Sequence, residues 1–250
     1  MKERSMMARL AAEAHLWLAR TDRIDPALLV RACDEVLSAD ERARADRLIP
    51  PARRQESVIG HWLVRVCLSR YQPLPPSAWR FERTARGKPE VAAPGDGALR
   101  FNLSHSAGLA ACIVTRTVPC GVDVERIQRA EQRLARAAEL LSPEEARALD
   151  ALPPSERAEG FFLRWTLKEA YLKARGWGIG VELDTVRFDL GPEGEARPIF
   201  APSIDDDPER WQLGWWRPTA SHALAVALGR SGPPLRIRPM DCGLGRAELA

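Results

Sequence analysis

Two stretches of the sequence repeat one pattern, LSADERARADRLIPP at residues 37–51 and LSPEEARALDALPP at residues 141–154. Each places a serine, Ser38 or Ser142, just before acidic residues, which is typical of a helix N-terminus. Each ends at a Pro-Pro pair, which stops a helix. The two stretches therefore predict the same short helix at two places in the chain.

The repeat extends on both sides of these stretches. A strand candidate precedes each one, and an apolar-striped helix, an extended segment with a turn and a buried strand follow it. In the first half these are HLWLA (15–19), VIGHWLVRVCLSRY (58–71), RFERTARGKPEV (80–91) and SHSAGLAACIV (104–114). In the second half they are CGVDVE (120–125), FFLRWTLKEAYLKARG (161–176), RFDLGPEGEARPIF (187–200) and SHALAVAL (221–228).

Five elements in one order predict an α+β protein made of two similar α/β halves in one chain. We expect an N-terminal half at residues 1–118 and a C-terminal half at residues 119–250, related by a pseudo-two-fold axis. A cleft between duplicated halves receives loops from both, so the active site is expected there.

The composition sets limits on the class of protein. The chain has 250 residues, of which 45% are hydrophobic and 28% charged, enough for a packed core. No apolar run reaches the ~20 residues that cross a bilayer, and no signal peptide or CxxC pair is found, so a cytoplasmic protein without a membrane partner is expected. The net charge of +3 is mild and the arginines are dispersed, so no nucleic-acid partner is expected.

The two halves differ where GVDVE stands at residues 121–125 against the apolar HLWLA of the first half. Alternate residues of a strand point to one face, so Asp123 and Glu125 project together. Two adjacent carboxylates repel each other unless a cation lies between them, and oxygen ligands suit Mg²⁺. The alternative is a half-exposed strand with an acidic outer face.

A third carboxylate lies in WTLKEAYLK at residues 165–173, whose first-half counterpart has no acid. Trp165, Glu169 and Lys173 are spaced by four and share one helix face. An ordinary surface ion pair between Glu169 and Lys173 is the alternative. The apolar residues around them favour a largely buried helix, in which an acid needs a partner.

Two further segments suit phosphate binding. His105 stands among hydroxyl residues in FNLSHS at residues 101–106, and Lys88 follows a glycine turn in RGKP at residues 86–89. A structural role shared with His222, its counterpart in the repeat, is the alternative for His105. No Walker A loop, GxGxxG, GxSxG or HExxH is present.

In combination, these segments resemble the Sfp-type 4'-phosphopantetheinyl transferases. The resemblance rests on GVDVE and WTLKEAYLK, with FNLSHS and RGKP upstream. It implies transfer of the phosphopantetheine arm of coenzyme A to a serine of an apo acyl or peptidyl carrier protein, with release of adenosine 3',5'-bisphosphate. It also implies a single-chain pseudo-dimer, for which a monomer is the simplest expectation.

The resemblance carries roles onto individual residues. Asp123, Glu125 and Glu169 are expected to hold Mg²⁺, or Mn²⁺, against the diphosphate of coenzyme A. Glu169 or a water is expected to act as the base, Lys173 to stabilise charge, and Lys168 to assist nearby. The expected coenzyme A contacts are Arg44 at the 3'-phosphate, Ser57 near the adenine, and Lys88, Ser104 and His105 at the phosphates.

One position departs from the family pattern. Glu41 stands where some members carry a second phosphate-binding lysine, and Arg42 or Arg47 are the candidates to replace it. Two other functions remain open from the residues. One is a metal-dependent phosphohydrolase or nuclease that uses the same carboxylates, and the other is a non-catalytic scaffold that binds a nucleotide or a carrier protein.

Overall fold

The computed structural model describes residues 2–25, 36–48, 51–127, 130–177, 183–191 and 195–242. The chain divides into two compact units. The first contains the residues up to Thr117 and the segment that begins at Leu235, and the second runs from Val118 to Pro234. Among the described residues, no helix combines the length and the apolar character needed to span a membrane.

The first unit is a mixed sheet with helices. Its elements are α1 (Lys2–Arg9), β1 (Glu13–Arg20), α2 (Ala39–Asp46), α3 (Pro51–Leu68), β2 (Arg80–Arg83), β3 (Pro89–Ala92), β4 (Leu99–Ser106), β5 (Leu109–Arg116) and β11 (Arg236–Asp241). The sheet order is β11-β1-β5-β4, and β2 pairs separately with β3. Helix α3 packs Ile59, Leu63 and Cys67 against Trp17 and Cys112 of the sheet, which forms the core.

The second unit follows the same plan. Its elements are β6 (Cys120–Arg126), α4 (Ala130–Leu134), α5 (Ala137–Leu140), α6 (Pro143–Asp150), α7 (Pro154–Arg175), β7 (Val186–Leu190), β8 (Ala196–Phe200), β9 (Trp211–Thr219) and β10 (His222–Gly229). The main sheet has the order β6-β10-β9, and β7 pairs with β8. Helix α7 packs Leu167, Ala170 and Tyr171 against Ala225 and Ala227.

The two units share their order of elements and their sheet order. Strands β1, β5 and β4 of the first unit match β6, β10 and β9 of the second. The hairpin β2–β3 matches β7–β8, and the helix pair α2–α3 matches α6–α7. The predicted α+β fold with two similar halves is therefore confirmed.

The repeated helix starts are capping boxes with one further function. Ser38 and Glu41 cap α2 reciprocally. The Glu41 carboxylate also accepts a hydrogen bond from Arg65 of α3 at 2.6 Å. Burial opposes ionisation of Glu41, but the Ser38 amide and Arg65 hold its pKa below the usual value. This one carboxylate thus joins the helix N-terminus to the next helix.

The second unit repeats this arrangement with a different cation. Ser142 and Glu145 form the capping box of α6, and Lys168 of α7 lies 2.7 Å from the Glu145 carboxylate. Glu145 also accepts the backbone N–H of Phe188 in β7 at 3.2 Å. The capping glutamate of each unit therefore joins the start of one helix to the helix that follows it.

The C-terminal segment departs from the expected boundary. The 119–250 half was expected to contain it, but β11 pairs in parallel with β1 of the first unit, from Glu13 opposite Arg236 to Leu18 opposite Asp241. The Cys242 thiol donates to the Leu18 carbonyl at 3.1 Å. Parallel pairing of distant segments has no local sequence signal, so it could not be predicted from the repeat.

His105 and His222 are also not equivalent. His105 lies near the end of β4 and is exposed, whereas His222 opens β10 and is buried. In the two hairpins, Leu109 pairs with Ser106 and His222 pairs with Thr219, so His222 matches Leu109. The Thr219 hydroxyl lies 2.7 Å from the His222 ring, which gives His222 a structural partner. The two histidines are therefore not counterparts in the repeat, and a structural role shared through equivalent positions does not follow from it.

Candidate active site

A glycine brings helix α7 against strand β6. A Cβ added to Gly121 would lie 2.0 Å from the Ala170 carbonyl oxygen and 2.5 Å from the Ala174 amide nitrogen. Both are backbone atoms of the helix, so a side chain at this position would push the two elements apart. Gly121 therefore sets the distance between the acidic strand and the helix that carries Glu169 and Lys173.

Asp123 and Glu125 share one face of β6. They stand opposite Ala225 and Ala223 of β10, so small side chains flank them on the neighbouring strand. Val122 and Val124, on the other face, are buried. Asp123 itself is only 4% exposed. The expectation that the two acids project together is in line with this register.

Lys173 is the cation beside this strand. Its ammonium lies 2.6 Å from the Asp123 carboxylate and 3.4 Å from the Val122 carbonyl oxygen. A buried carboxylate needs such compensation, because burying an unpaired charge is costly. The ion pair links β6 to α7 and places Lys173 next to the acids.

Glu169 lies one helical turn before Lys173 and is half-buried. Burial raises its pKa above the usual value, and the charges of Asp123 and Glu125 raise it further, against the opposing effect of Lys173. All three carboxylates are therefore close enough to act on one another electrostatically. Crowded acids of this kind favour an added cation.

The donor set suits a hard divalent cation, because all three candidates are carboxylates. Within the described ranges, no three Asp, Glu, His or Cys side chains already surround a common point at metal-binding distance. Lys173 is the cation that compensates Asp123 in this structure. One ion shared by all three carboxylates would therefore require them to come closer together.

Lys168 was expected to assist near the diphosphate of coenzyme A, but it is surrounded by protein partners. It is 1% exposed, and its ammonium donates to the Leu183 carbonyl at 2.7 Å and to the Val186 carbonyl as well as pairing with Glu145. Burial lowers the pKa of Lys168, and Glu145 partly offsets this effect. These contacts argue against the expected assistance in coenzyme A binding and indicate a structural lysine.

The other residues expected to contact coenzyme A all lie in the first unit. Successive residues of β4 alternate, so His105 is exposed while Ser104 is buried. The His105 Nδ1 lies 3.6 Å from the Glu56 carboxylate of α3. Lys88 is half-buried at the turn between β2 and β3, where Gly87 has a φ of 86°. The backbone N–H of Lys88 donates to the Thr84 hydroxyl at 3.1 Å.

Arg44 and Ser57 lie on neighbouring helices of this unit. Arg44 is exposed near the end of α2, and Ser57 is half-buried on α3. Glu41, at the position of the missing lysine, is buried and holds Arg65. It is therefore part of the framework and does not present a charge to a ligand.

His61 is a residue of this group that the sequence analysis did not single out. It lies one turn after Ser57 on α3, and its ring Nδ1 is 3.4 Å from the Glu41 carboxylate. Its pKa is affected by the charges of both Arg44 and His105. The available signal was its spacing of four from Ser57, which places both on one helix face.

Comparisons with known proteins agree with the two-part organisation of the chain. A profile described as the 4'-phosphopantetheinyl transferase superfamily matches residues 119–227. A profile described as 4'-phosphopantetheinyl transferase, N-terminal, matches residues 27–117. Both profiles thus describe the same family of transferases.

Two relatives of known sequence, HetI and Sfp, give the same result. The chain is 34% identical to the 4'-phosphopantetheinyl transferase HetI of a Nostoc species, over 89% of this chain and 90% of the relative. It is 28% identical to the 4'-phosphopantetheinyl transferase Sfp of Bacillus subtilis, over 65% of this chain and 75% of the relative. A crystal structure of a holo-(acyl-carrier-protein) synthase from Bacillus anthracis aligns with a TM-score of 0.39 and 24% identity, over 46% of this chain and 96% of that one. Because the match to HetI extends over almost the whole of both chains, this chain belongs to the 4'-phosphopantetheinyl transferase superfamily.

Proposed function

We propose that this 4'-phosphopantetheinyl transferase moves the phosphopantetheine arm of coenzyme A to a serine of an apo acyl or peptidyl carrier protein. The serine oxygen forms a bond to the phosphorus of the arm, the diphosphate bond breaks, and adenosine 3',5'-bisphosphate leaves. The observation that carries this proposal is the crowding of Asp123, Glu125 and Glu169 beside Lys173 in a member of this family.

Asp123, Glu125 and Glu169 are the residues that would hold Mg²⁺, with Mn²⁺ as the alternative. Such an ion would neutralise charge on the diphosphate, which is the main requirement for phosphoryl transfer. The raised pKa of Glu169 supports this assignment, because it reflects burial together with the charges of Asp123 and Glu125.

Glu169 is our candidate for the general base. A carboxyl with a raised pKa is a better proton acceptor than an ordinary one, and Glu169 is half-buried near two other acids. In this proposal, Glu169 takes the proton of the carrier serine, directly or through a water. Lys173 stabilises the negative charge that develops on the leaving diphosphate oxygen.

The first unit supplies the coenzyme A contacts in this proposal. Arg44, Lys88 and His105 bind phosphate groups, Ser57 lies near the adenine, and Ser104 contributes through its backbone because its side chain is buried. We also expect a monomer that acts in the cytoplasm, without a nucleic-acid or membrane partner.

Mass spectrometry of an apo carrier protein tests the proposal. The carrier is incubated with coenzyme A, Mg²⁺ and this protein, and a mass gain of one phosphopantetheine arm supports transfer. Cleaved coenzyme A with an unmodified carrier would instead indicate a phosphohydrolase. Binding of the carrier without any chemical change would indicate a scaffold. Omitting Mg²⁺ and adding a chelator should abolish the mass gain if the carboxylates hold the ion.

A further inference from the structure

His61 lies where helix α3 comes against strand β4. The preceding residue, Gly60, has no side chain, and a Cβ there would lie 2.9 Å from Leu103 and 3.5 Å from the His105 ring. The ring of His105 therefore packs over the turn of α3 that carries His61. This close approach brings a second histidine beside one of the proposed phosphate ligands.

The surroundings of His61 are rich in cations. Burial lowers its pKa, Glu41 opposes this effect, and the positive charges of Arg65, His105 and Arg44 lower the pKa further. These groups come from α2, α3 and β4, the elements around the ring. Glu56 of α3 is a further acid beside them, 3.6 Å from His105. Basic side chains that repel one another in this way favour a bound anion.

Glu41 holds the His61 ring in place. Its Oε1 lies 3.4 Å from His61 Nδ1, while its Oε2 accepts from Arg65 at 2.6 Å. Because Glu41 is also fixed by the capping box with Ser38, the ring is held at its Nδ1 edge by a rigid partner. The His61 side chain is 34% exposed, so a ligand can reach it.

We propose that His61 binds the 3'-phosphate of coenzyme A together with Arg44 and His105, with Glu41 orienting the ring. The inference rests on the proposed function. It commits to the 3'-phosphate because a phosphate monoester can carry two charges and accept from several donors, whereas the diphosphate is assigned to the carboxylate-bound ion and Lys173. Glu41 then contributes to binding of the 3'-phosphate without contacting it, because it orients His61.

Kinetics with coenzyme A and dephospho-coenzyme A, which lacks the 3'-phosphate, test this inference. His61→Gln should raise the KM for coenzyme A about tenfold, the effect of losing one charged hydrogen bond. The same change should alter kcat little and leave the KM for dephospho-coenzyme A near the wild-type value. His61→Arg, which keeps a cation, should retain most of the affinity for coenzyme A.

Arg54→Gln provides the matched control on the same helix. Arg54 is exposed and paired with Asp46, so its loss removes one positive charge from α3 without touching the proposed subsite. An unchanged KM in His61→Gln, or an equal rise for both substrates, would overturn the inference. If the wild type itself fails to modify a carrier, the proposed function fails instead, so the two failures are distinguishable.

Proton uptake gives a second measurement that a purely structural role would not change. A bound phosphate favours the protonated ring, so coenzyme A binding near pH 7 should draw a proton onto His61. Calorimetry in two buffers of different ionisation enthalpy measures this uptake. Wild type should take up more protons than His61→Gln with coenzyme A, and the difference should vanish with dephospho-coenzyme A. Equal uptake by both proteins with coenzyme A would contradict the inference.

Discussion

At the scale of single residues, the two lysines of the WTLKEAYLK segment have different partners. Lys173 is partly exposed beside Asp123, whereas Lys168 is buried between Glu145 and two carbonyl groups. Lys173→Gln should lower kcat by about a hundredfold, because charge stabilisation is lost, while the glutamine can still donate to Asp123. Lys168→Met should instead lower the free energy of unfolding by about 3 kcal/mol, because Glu145 loses its buried partner.

Steady-state kinetics and urea unfolding of both variants separate these effects. The folded fraction of Lys168→Met should retain most of the wild-type kcat. If Lys168→Met keeps full stability but loses transfer as strongly as Lys173→Gln, then Lys168 contacts the substrate, as the sequence analysis expected. Sequence reasoning could not separate the two lysines, because burial of an ammonium depends on Leu183 and Val186, which lie outside the motif.

The buried ring of His15 should make the free energy of unfolding depend on pH. Its ring lies 2.8 Å from the Tyr71 hydroxyl and 3.0 Å from the Glu13 carboxylate. Burial lowers its pKa, against the opposing hydrogen bond to Glu13. As the pH falls, the His15 ring therefore becomes protonated in the unfolded chain before it does so in the folded protein. The free energy of unfolding should consequently fall as the pH drops below about 6.5. Above that pH the full contribution is present.

Urea unfolding of wild type and His15→Gln from pH 7.5 to 5.5 measures this dependence. The variant should lose less stability over the interval, by up to about 1.4 kcal/mol per pH unit. The pKa of Glu13 is also lowered, chiefly by its hydrogen bond to His15, but its titration lies below pH 4.5 and outside the interval. Identical pH profiles for both proteins would show that His15 does not titrate as its burial implies.

At the scale of elements, the contact between β6 and α7 depends on Gly121. A methyl group there would meet backbone atoms of α7 at 2.0 and 2.5 Å, which no rotamer change can relieve. Gly121→Ala should therefore lower the free energy of unfolding by about 3 kcal/mol or more. Because Asp123 would move away from Lys173, transfer activity should fall as well, even in the protein that remains folded.

Gly232→Ala is the matched control for this variant. A Cβ at Gly232 meets nothing within 4 Å, and Gly232 belongs to the same unit. Its stability and activity should match those of wild type in thermal unfolding and carrier-modification assays. Normal activity and stability in Gly121→Ala would mean that the strand and helix tolerate separation, and that their close contact does not position the acids.

Elements with local signals were predictable from the sequence. The capping boxes at Ser38 and Ser142 and the Pro-Pro pairs mark helix limits within a few residues, so the repeated helices could be recognised. The alternation in β6 likewise placed Asp123 and Glu125 on one face. The placement of His61 beside His105 depends on the packing of α3 against β4 at Gly60. Such tertiary contacts have no signature in the order of residues.

At the scale of the whole molecule, the first unit is built from two segments that are far apart in the sequence. Strand β11 follows the second unit in sequence but covers the edge of β1 in the first. Besides the backbone pairing, Arg238 reaches the Glu13 carboxylate at 3.3 Å. Without β11, β1 would become an exposed sheet edge, which favours aggregation as well as loss of stability.

Truncation after Pro234 tests this role of β11, and truncation after Cys242, which keeps the strand, is its control. The shorter chain should unfold at a lower temperature and aggregate more readily, because the first unit loses a strand and the buried Cys242. Its coenzyme A affinity should also fall, since Arg44, His61 and His105 belong to that unit. Thermal unfolding with light scattering and calorimetry with coenzyme A measure these effects. Equal behaviour of the two truncated chains would mean that β11 is dispensable to the sheet, and that the repeated unit is complete with β1, β5 and β4 alone.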